Sequence, residues 1–300
     1  MSGHLIHIGF PKTGSNYLRA WFRRHPQLEY ADGGIAGFQN VFQIAKRGAL
    51  PRPDVRYHVT SAEHLSTPTP DAGNPVDTYE RRGWTNLPRA QDATCDLLAG
   101  LFGSARVLCV TRGFRSMILS SYSQFVRGGG TLGFTEFCDS LHSDPSGIVW
   151  DYDRLLARYR RAFPPAQVLF MPYELLRDDP ARFTQRLESW LGLDRCEPPA
   201  GRINPAVVPD ALVWYPRITR ALSAAPIGLR PRRWLVRWHT RHTMRGGYRH
   251  PLRIARILFP SPPISASDIP AGCLDGFRGK ADALRDEPFY APYADDYFHR

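Results

Sequence analysis

Lysine is nearly missing from this chain: Lys12, Lys46 and Lys280 stand against thirty-six arginines in 300 residues. The skew reflects codon bias, and it makes a lysine inside a glycine-containing turn less of an accident. Five cysteines (Cys95, Cys109, Cys138, Cys196 and Cys273) are scattered and odd in number, and none has CxxC spacing. That pattern suggests neither a disulfide framework nor a zinc site, and leaves them as small buried apolar residues. No apolar run reaches the roughly 18 residues that a membrane-spanning helix needs. No basic leader or cleavable apolar segment shows in the opening "MSGHLIHIGF", so a cytoplasmic protein is expected. Repeats, low-complexity tracts and the Walker pattern GxxxxGK[ST] are missing as well. What remains is a chain that is 43% hydrophobic, enough for one large core, or one core with an extension.

Acidic residues are absent from one long stretch. Between Arg217 and Arg256 there are eleven arginines and no Asp or Glu, and the whole chain also carries +11. Everything outside that stretch therefore sums to zero. The basic character belongs to one segment and not to the fold.

"HLIHIGF" (His4–Phe10) reads as a first buried strand that opens into a turn. Tyr17, Leu18, Trp21 and Phe22 have helical spacing, Pro26 stops that helix, and Ser15 or Asn16 can serve as its N-cap. "RYHVTSAEHL" (Arg56–Leu65) reads as a strand ending in a polar turn, and residues 67–90, rich in Pro and Gly, as a loop or lid. "QDATCDLLAGLFG" (Gln91–Gly103) is a helix leading into the strand "ARVLCVTRG", after which comes the helix "FRSMILSSYSQFVRGGG". Amphipathic helices over Asp151–Phe163 and Pro180–Leu193 flank the strand "QVLFMPY". The alternation predicts an α/β class, a P-loop-like three-layer fold with a central, mainly parallel sheet. Strand signals stop near residue 205. We therefore expect a core over 1–205 and a helical, Arg- and Trp-rich extension over 206–300 packed on it.

Two places carry chemistry. In "PKTGSNY", Lys12 precedes the glycine rather than following it. Strand, turn and helix N-terminus together form an anion site, because the first-turn amides are unpaired and the helix dipole favours negative charge. Lys12 adds a mobile charge, and Thr13 and Ser15 add hydroxyl donors. The plainer alternative is an ordinary strand-to-helix turn with a solvated lysine. The second place is "VTRGFRSMILSSYSQF". Arg112 stands at a strand's carboxyl end, where open α/β sheets bind ligands, and Ser120 lies eight residues on, about two helical turns away. With a sharp turn at Gly113 the pair would suit a terminal phosphate; otherwise they are a surface arginine and a capping serine.

Taken together, "PKTGSNY" resembles the 5′-phosphosulfate loop of sulfotransferases that use 3′-phosphoadenosine 5′-phosphosulfate (PAPS). "RGFRSMILSS" resembles their 3′-phosphate motif. "SQFVRGGGTLGFTEF", "DYDRLLARYRRAF" and "VLFMPYELLRDDPARFTQRLESWLGL" are similar to the following region of bacterial sulfotransferases that modify glycans. The resemblance runs from about Ile6 to Val207. It implies Lys12 on the bridging and sulfuryl oxygens, with Thr13, Gly14, Ser15 and Asn16 around the 5′-phosphate. Arg112 and Ser120 would hold the 3′-phosphate, Tyr17 would stack on the adenine, and Arg202 would substitute for a later glycine-rich adenine motif that is not visible. The implied donor is PAPS with no metal, since the transferred group carries less charge than a γ-phosphate. The implied acceptor is a glycan or glycoconjugate hydroxyl.

That hydroxyl needs a base, and "TSAEHL" offers Glu63 and His64 side by side, of which adjacent positions on an extended chain would present only one. Glu174 reads as a structural cap or an arginine partner. For the basic extension three readings stand: recruitment of an acidic glycan or an anionic membrane at its cytoplasmic face, a packed helix with a solvated basic face, and nucleic-acid binding, which is the weakest. A nucleotide-binding or nucleic-acid-binding protein of this fold without transfer activity, or transfer to a small-molecule or lipid hydroxyl, are the functional alternatives.

Overall fold

The computed structural model describes residues 3–30, 54–67, 87–143, 150–199, 209–244 and 262–298. In chain order the sheet-forming part runs β1 (Gly3–His7), α1 (Ser15–Arg24), β2 (Leu28–Tyr30), β3 (Tyr57–Ser61), α2 (Leu87–Leu101), β4 (Arg106–Thr111), α3 (Phe114–Arg127), α4 (Phe134–Ser143), α5 (Tyr152–Ala162) and β5 (Val168–Pro172). Next come α6 (Tyr173–Asp178), α7 (Pro180–Leu191), α8 (Pro209–Ala224), α9 (Leu229–Met244), α10 (Ala271–Asp275) and α11 (Ala294–Tyr297). One five-stranded sheet has the order β2-β3-β1-β4-β5. Every pairing in it is parallel, with β1 in the middle between β3 and β4. The loops leaving β1, β3, β4 and β5 therefore all emerge at one edge of the sheet.

Alternation along the strands sorts residues onto two faces. Leu5, Val59, Leu108, Val110, Leu169 and Met171 face α1 and α7, where Leu18, Trp21, Phe22, Phe183 and Leu187 are fully buried. Ile6, Val107, Cys109, Val168 and Phe170 face the other way, onto α2, α3 and α5. Sheet and two helical layers make the expected three-layer α/β fold. Helices start where the residue types provide caps. Asp151 accepts from Arg154 N at 3.0 Å, and Asp179 from Arg182 N at 2.9 Å ahead of Pro180. Gly192, at φ 68°, ends α7 in the left-handed conformation that favours glycine.

Several boundaries differ from the sequence-based expectation. The first strand ends at His7 and not Phe10, although Ile8 N still donates to the Leu108 carbonyl at 2.9 Å and Ile8 and Phe10 stay buried in the core. The strand with a closing polar turn expected over 56–65 is present as β3 followed by a 3-10 turn at Glu63–Leu65. The short edge strand β2 and helix α4 were not foreseen. Four of the five cysteines are buried and Cys196 is half-buried, in keeping with their reading as packing residues. The glycine- and proline-rich loop over 67–90 lies mostly outside the described residues.

Beyond residue 205 the described chain packs mainly on the α3/α5 side of the sheet, with Phe289 and Tyr293 reaching the α1/α7 cluster. Leu212, Tyr215, Phe277, Leu284, Tyr290 and Tyr297 join the same buried cluster as Ile6 and Phe170. Phe277 stacks on Phe114 at 4.9 Å and on Trp150 at 5.6 Å. Truncating such a ring removes its contacts and leaves a cavity. Phe277→Ala is expected to lower unfolding free energy by about 3–5 kcal/mol in chemical denaturation. A loss below about 1 kcal/mol would show that the C-terminal part is not integral to the core.

Candidate active site

The residues singled out in the sequence gather at the carboxyl edge of the sheet. The loop after β1 ends in Gly14, at φ 85°, which is the N-cap of α1, and no side chain caps that helix. Ser15 and Asn16, expected as caps, are instead its first two helical residues. The glycine takes the cap position because the left-handed backbone there, and Leu176 Cδ2 only 2.5 Å from where a Cβ would sit, exclude a side chain. The first-turn amides are thus left without a side-chain acceptor, as an anion site requires. Ser15 Oγ is buried with no hydrogen-bond partner. Thr13 is committed locally: its hydroxyl donates to the Phe10 carbonyl at 2.6 Å. Asn16 is exposed and accepts from Arg19 at 3.3 Å.

Lys12 is the one non-glycine residue at positive φ among the described residues, at 69°. A left-handed backbone with a side chain costs of order 1–3 kcal/mol and persists where surrounding contacts enforce it. One such contact is visible. Arg112 Nη1 donates to the Lys12 carbonyl at 2.7 Å, joining the ends of β1 and β4. Burial pushes the Lys12 amine below the usual lysine range, and the charges of Arg127 and Arg112 push it further, while Glu63 opposes them. An anion placed among these cations would relieve their mutual repulsion.

Arg112 is held on all sides. Its Nε donates to Ser116 Oγ at 2.9 Å, its guanidinium lies 4.6 Å over the Tyr173 ring, and its carbonyl accepts from Tyr152 OH at 2.7 Å. Burial lowers its pKa. Ser120, half-buried one turn beyond Ser116, makes no hydrogen bond to Arg112. Glu174 is fully buried at the end of β5 and caps a neighbouring helix. Its Oε1 accepts from Gly113 N at 3.0 Å and lies 3.2 Å from Ser116 Oγ, and its Oε2 accepts from Tyr297 OH at 2.8 Å. Thr111 Oγ1 donates to Tyr297 OH at 3.2 Å and sits 2.7 Å from Tyr290 OH. With Tyr297 donating to the carboxylate and Thr111 to Tyr297, the Tyr290 hydroxyl must donate to Thr111. Burial holds both tyrosines well above their ordinary pKa, so they stay neutral donors. The C-terminal segment thereby reaches Arg112 through Glu174 and Ser116.

Glu63 sits in the 3-10 turn after β3, 3.4 Å from Arg19 Nη2 and near enough to Lys12 to raise its pKa. His64 shares that turn; its side chain lies outside the described residues, as does Arg202. Tyr17, expected against a base, is 9% exposed and packed in the α1 side of the core, with its hydroxyl buried and unpartnered. His7 lies beneath the loop, where Gly9 leaves room for its ring. It pairs with Ser61 Oγ at 2.8 Å, and burial, with Arg19 nearby, lowers its pKa to about 3, so it stays neutral at physiological pH.

Sequence reasoning missed Ser116, Tyr173, Arg19 and Arg127. Tyr173 follows the carboxyl end of β5, the same rule that singled out Arg112. Ser116 is four residues after Arg112, one helical turn. Arg127 lies three turns along α3, where no local signal marks it.

A model described as the sulfotransferase family matches residues 5–198. The chain belongs to the sulfotransferase family and is a sulfotransferase. Among solved structures, the sulfotransferase from Alicyclobacillus acidocaldarius is 17% identical with a TM-score of 0.48, over 68% of this chain and 87% of that one. The mouse sulfotransferase SULT7A1 complexed with PAP is 12% identical with a TM-score of 0.39, over 77% of this chain and 68% of that one. No curated protein matches the sequence.

Removing the Tyr297 hydroxyl takes one donor from a buried carboxylate that orients Ser116 and, through it, Arg112. Tyr297→Phe is expected to weaken binding of 3′-phosphoadenosine 5′-phosphate about three- to tenfold in calorimetry, with the KM for acceptor unmoved. Unchanged affinity would disconnect the C-terminal segment from Arg112.

Proposed function

We propose that this sulfotransferase moves the sulfuryl group of PAPS onto a hydroxyl of a glycan or glycoconjugate. The observation that carries the donor assignment is the Arg112–Lys12 hydrogen bond at 2.7 Å, which joins two anion-binding elements into one site. The buried, unpartnered Ser15 hydroxyl and the uncapped N-terminus of α1 fit a phosphate between them. Lys12, Thr13, Gly14, Ser15 and Asn16 would hold the 5′ end of the nucleotide. Arg112 and Ser120 would hold the 3′-phosphate. Tyr17 and Arg202 are proposed for the adenine, Tyr17 by its loop-side position in α1 more than by exposure.

PAPS supplies an activated sulfuryl group whose departure leaves negative charge on a phosphate oxygen. Lys12 is suited to hold that charge, because its amine is desolvated and flanked by cations. Glu63 is suited to take the acceptor's proton. It approaches Lys12 from the neighbouring strand, and Arg19 holds its carboxylate in place; His64 is the second candidate in the same turn. Full charges from Lys12 and Arg112 supply what a metal supplies to a triphosphate. The glycan assignment is supported by the resemblance of residues 123–137, 151–163 and 168–193 to glycan-modifying sulfotransferases. A cytoplasmic site of action fits five cysteines that form no disulfide with one another. Among the described residues no helix is long and apolar enough to cross a membrane.

The expected result in thermal shift is strong stabilisation by 3′-phosphoadenosine 5′-phosphate and little by ATP; stabilisation by ATP alone would contradict the donor assignment. Glu63→Gln should lower turnover at least about a hundredfold with nucleotide binding retained. Near-normal turnover in that variant would remove Glu63 from the chemistry.

A further inference from the structure

Helix α9 has two unlike faces. Its inner face carries His239 and Thr243, both buried. Thr243 Oγ1 donates to the Arg127 carbonyl at 2.9 Å, and Thr240 Oγ1 would lie 2.7 Å from a Cβ on Gly129. His239 meets the Tyr215 ring of α8 edge-on at 5.8 Å. This face props the end of α3 that carries Arg127, whose charge reaches Lys12. The helix thus stands one helix diameter, about 10 Å, from an element of the active site.

The outer face is aromatic and cationic together. Arg230, Trp234 and Trp238 stand four residues apart, and Arg237 and Arg241 stand three residues beyond each tryptophan, so the five share one side of the helix, and all are exposed. Trp234 is 59% and Trp238 49% exposed, the latter stacked on His242. Leu229 and Ile227, at the start of the helix, are also exposed. These four make up most of the six large apolar side chains exposed among the described residues. Apolar exposure is therefore concentrated at one place, and α9 there carries five arginines and no acidic residue.

We infer that this face of α9 is a docking surface for an anionic lipid bilayer. Tryptophan and aliphatic side chains would enter the interface while the arginines, with their long stems, stay at the level of acidic headgroups. Charge complementarity selects an anionic surface. Leu229 and Ile227, exposed at the N-terminal end of α9 beside that face and not on it, add aliphatic surface that favours lipid over nucleic acid, because it gives bases nothing to stack on. A helix lying on the bilayer through this face, with its back against the Arg127 end of α3, presents the active site to acceptors at the lipid surface. The inference deepens the proposed function by placing the acceptor there, and only that part rests on it.

The test is sedimentation of the full-length protein with vesicles of phosphatidylcholine alone, or with about one-third phosphatidylglycerol, at about 0.15 M salt. Binding to the anionic vesicles only is expected. Trp234→Ala/Trp238→Ala should weaken it at least about tenfold while the thermal shift by 3′-phosphoadenosine 5′-phosphate is kept. Quenching of the unaltered protein's tryptophan fluorescence by brominated anionic lipid tests the same contact without a variant. Three outcomes would overturn the inference: no binding to anionic vesicles, equal binding by the double variant, or tryptophan-dependent binding to single-stranded RNA that exceeds binding to vesicles. None of these depends on sulfuryl transfer, so the docking surface and the enzymatic reading stand or fall separately.

Discussion

A single hydrogen bond, from the Arg112 guanidinium to the Lys12 carbonyl, couples the two loops on which this site depends. A parallel sheet with β1 at its centre delivers four loops to one edge, but nearness alone does not fix a side chain. The bond sets the loop after β1 against the end of β4 and accompanies the left-handed backbone at Lys12. Gly14, also left-handed, then starts α1 without a side-chain cap. The order of causes runs from sheet topology, to loop contact, to an uncapped helix aimed at whatever the two loops enclose.

Electrostatics follows from that contact. Lys12, Arg112 and Arg127 are brought near one another, with Glu63 as the opposing charge at Lys12. Burial and the charges of Arg127 and Arg112 weaken the protonation of Lys12, so the arrangement favours an anionic guest. The fixing of Arg112 is spread widely. Ser116, Tyr173, Tyr152 and, at one remove, Glu174 and Tyr297 each restrict it. The C-terminal segment is thus part of the same architecture as the strands it follows by more than a hundred residues.

Local pattern made much of this readable in advance. Tyr17, Leu18, Trp21 and Phe22 all fall on the buried face of α1 that their spacing predicts. The apolar runs around β3, β4 and β5 became strands, and Lys12 and Arg112 stood out because anions bind at strand ends and helix starts. Other features are set by contacts that no short window contains. The carboxylate of Glu174 caps a helix 61 residues away in sequence, so its type was readable but its partner was not. Ser116, one turn after Arg112, takes the hydrogen bond from Arg112 Nε, a contact that the eight-residue spacing to Ser120 does not announce. The three-residue β2 is too short to carry a pattern, and is a strand because β3 pairs with it.

The basic segment shows the same division. Its charge was plain from the sequence; that one face of α9 gathers arginine and tryptophan while the other braces α3 needed the packing. The proposed function requires that the two loops form one site for a nucleotide bearing two separated phosphates. Calorimetry with 3′-phosphoadenosine 5′-phosphate, adenosine 5′-phosphate and adenosine 3′-phosphate tests it most directly. The bisphosphate is expected to bind at least about a hundredfold more tightly than either monophosphate. Equal affinity for the bisphosphate and one monophosphate would show that the loops do not act as one site.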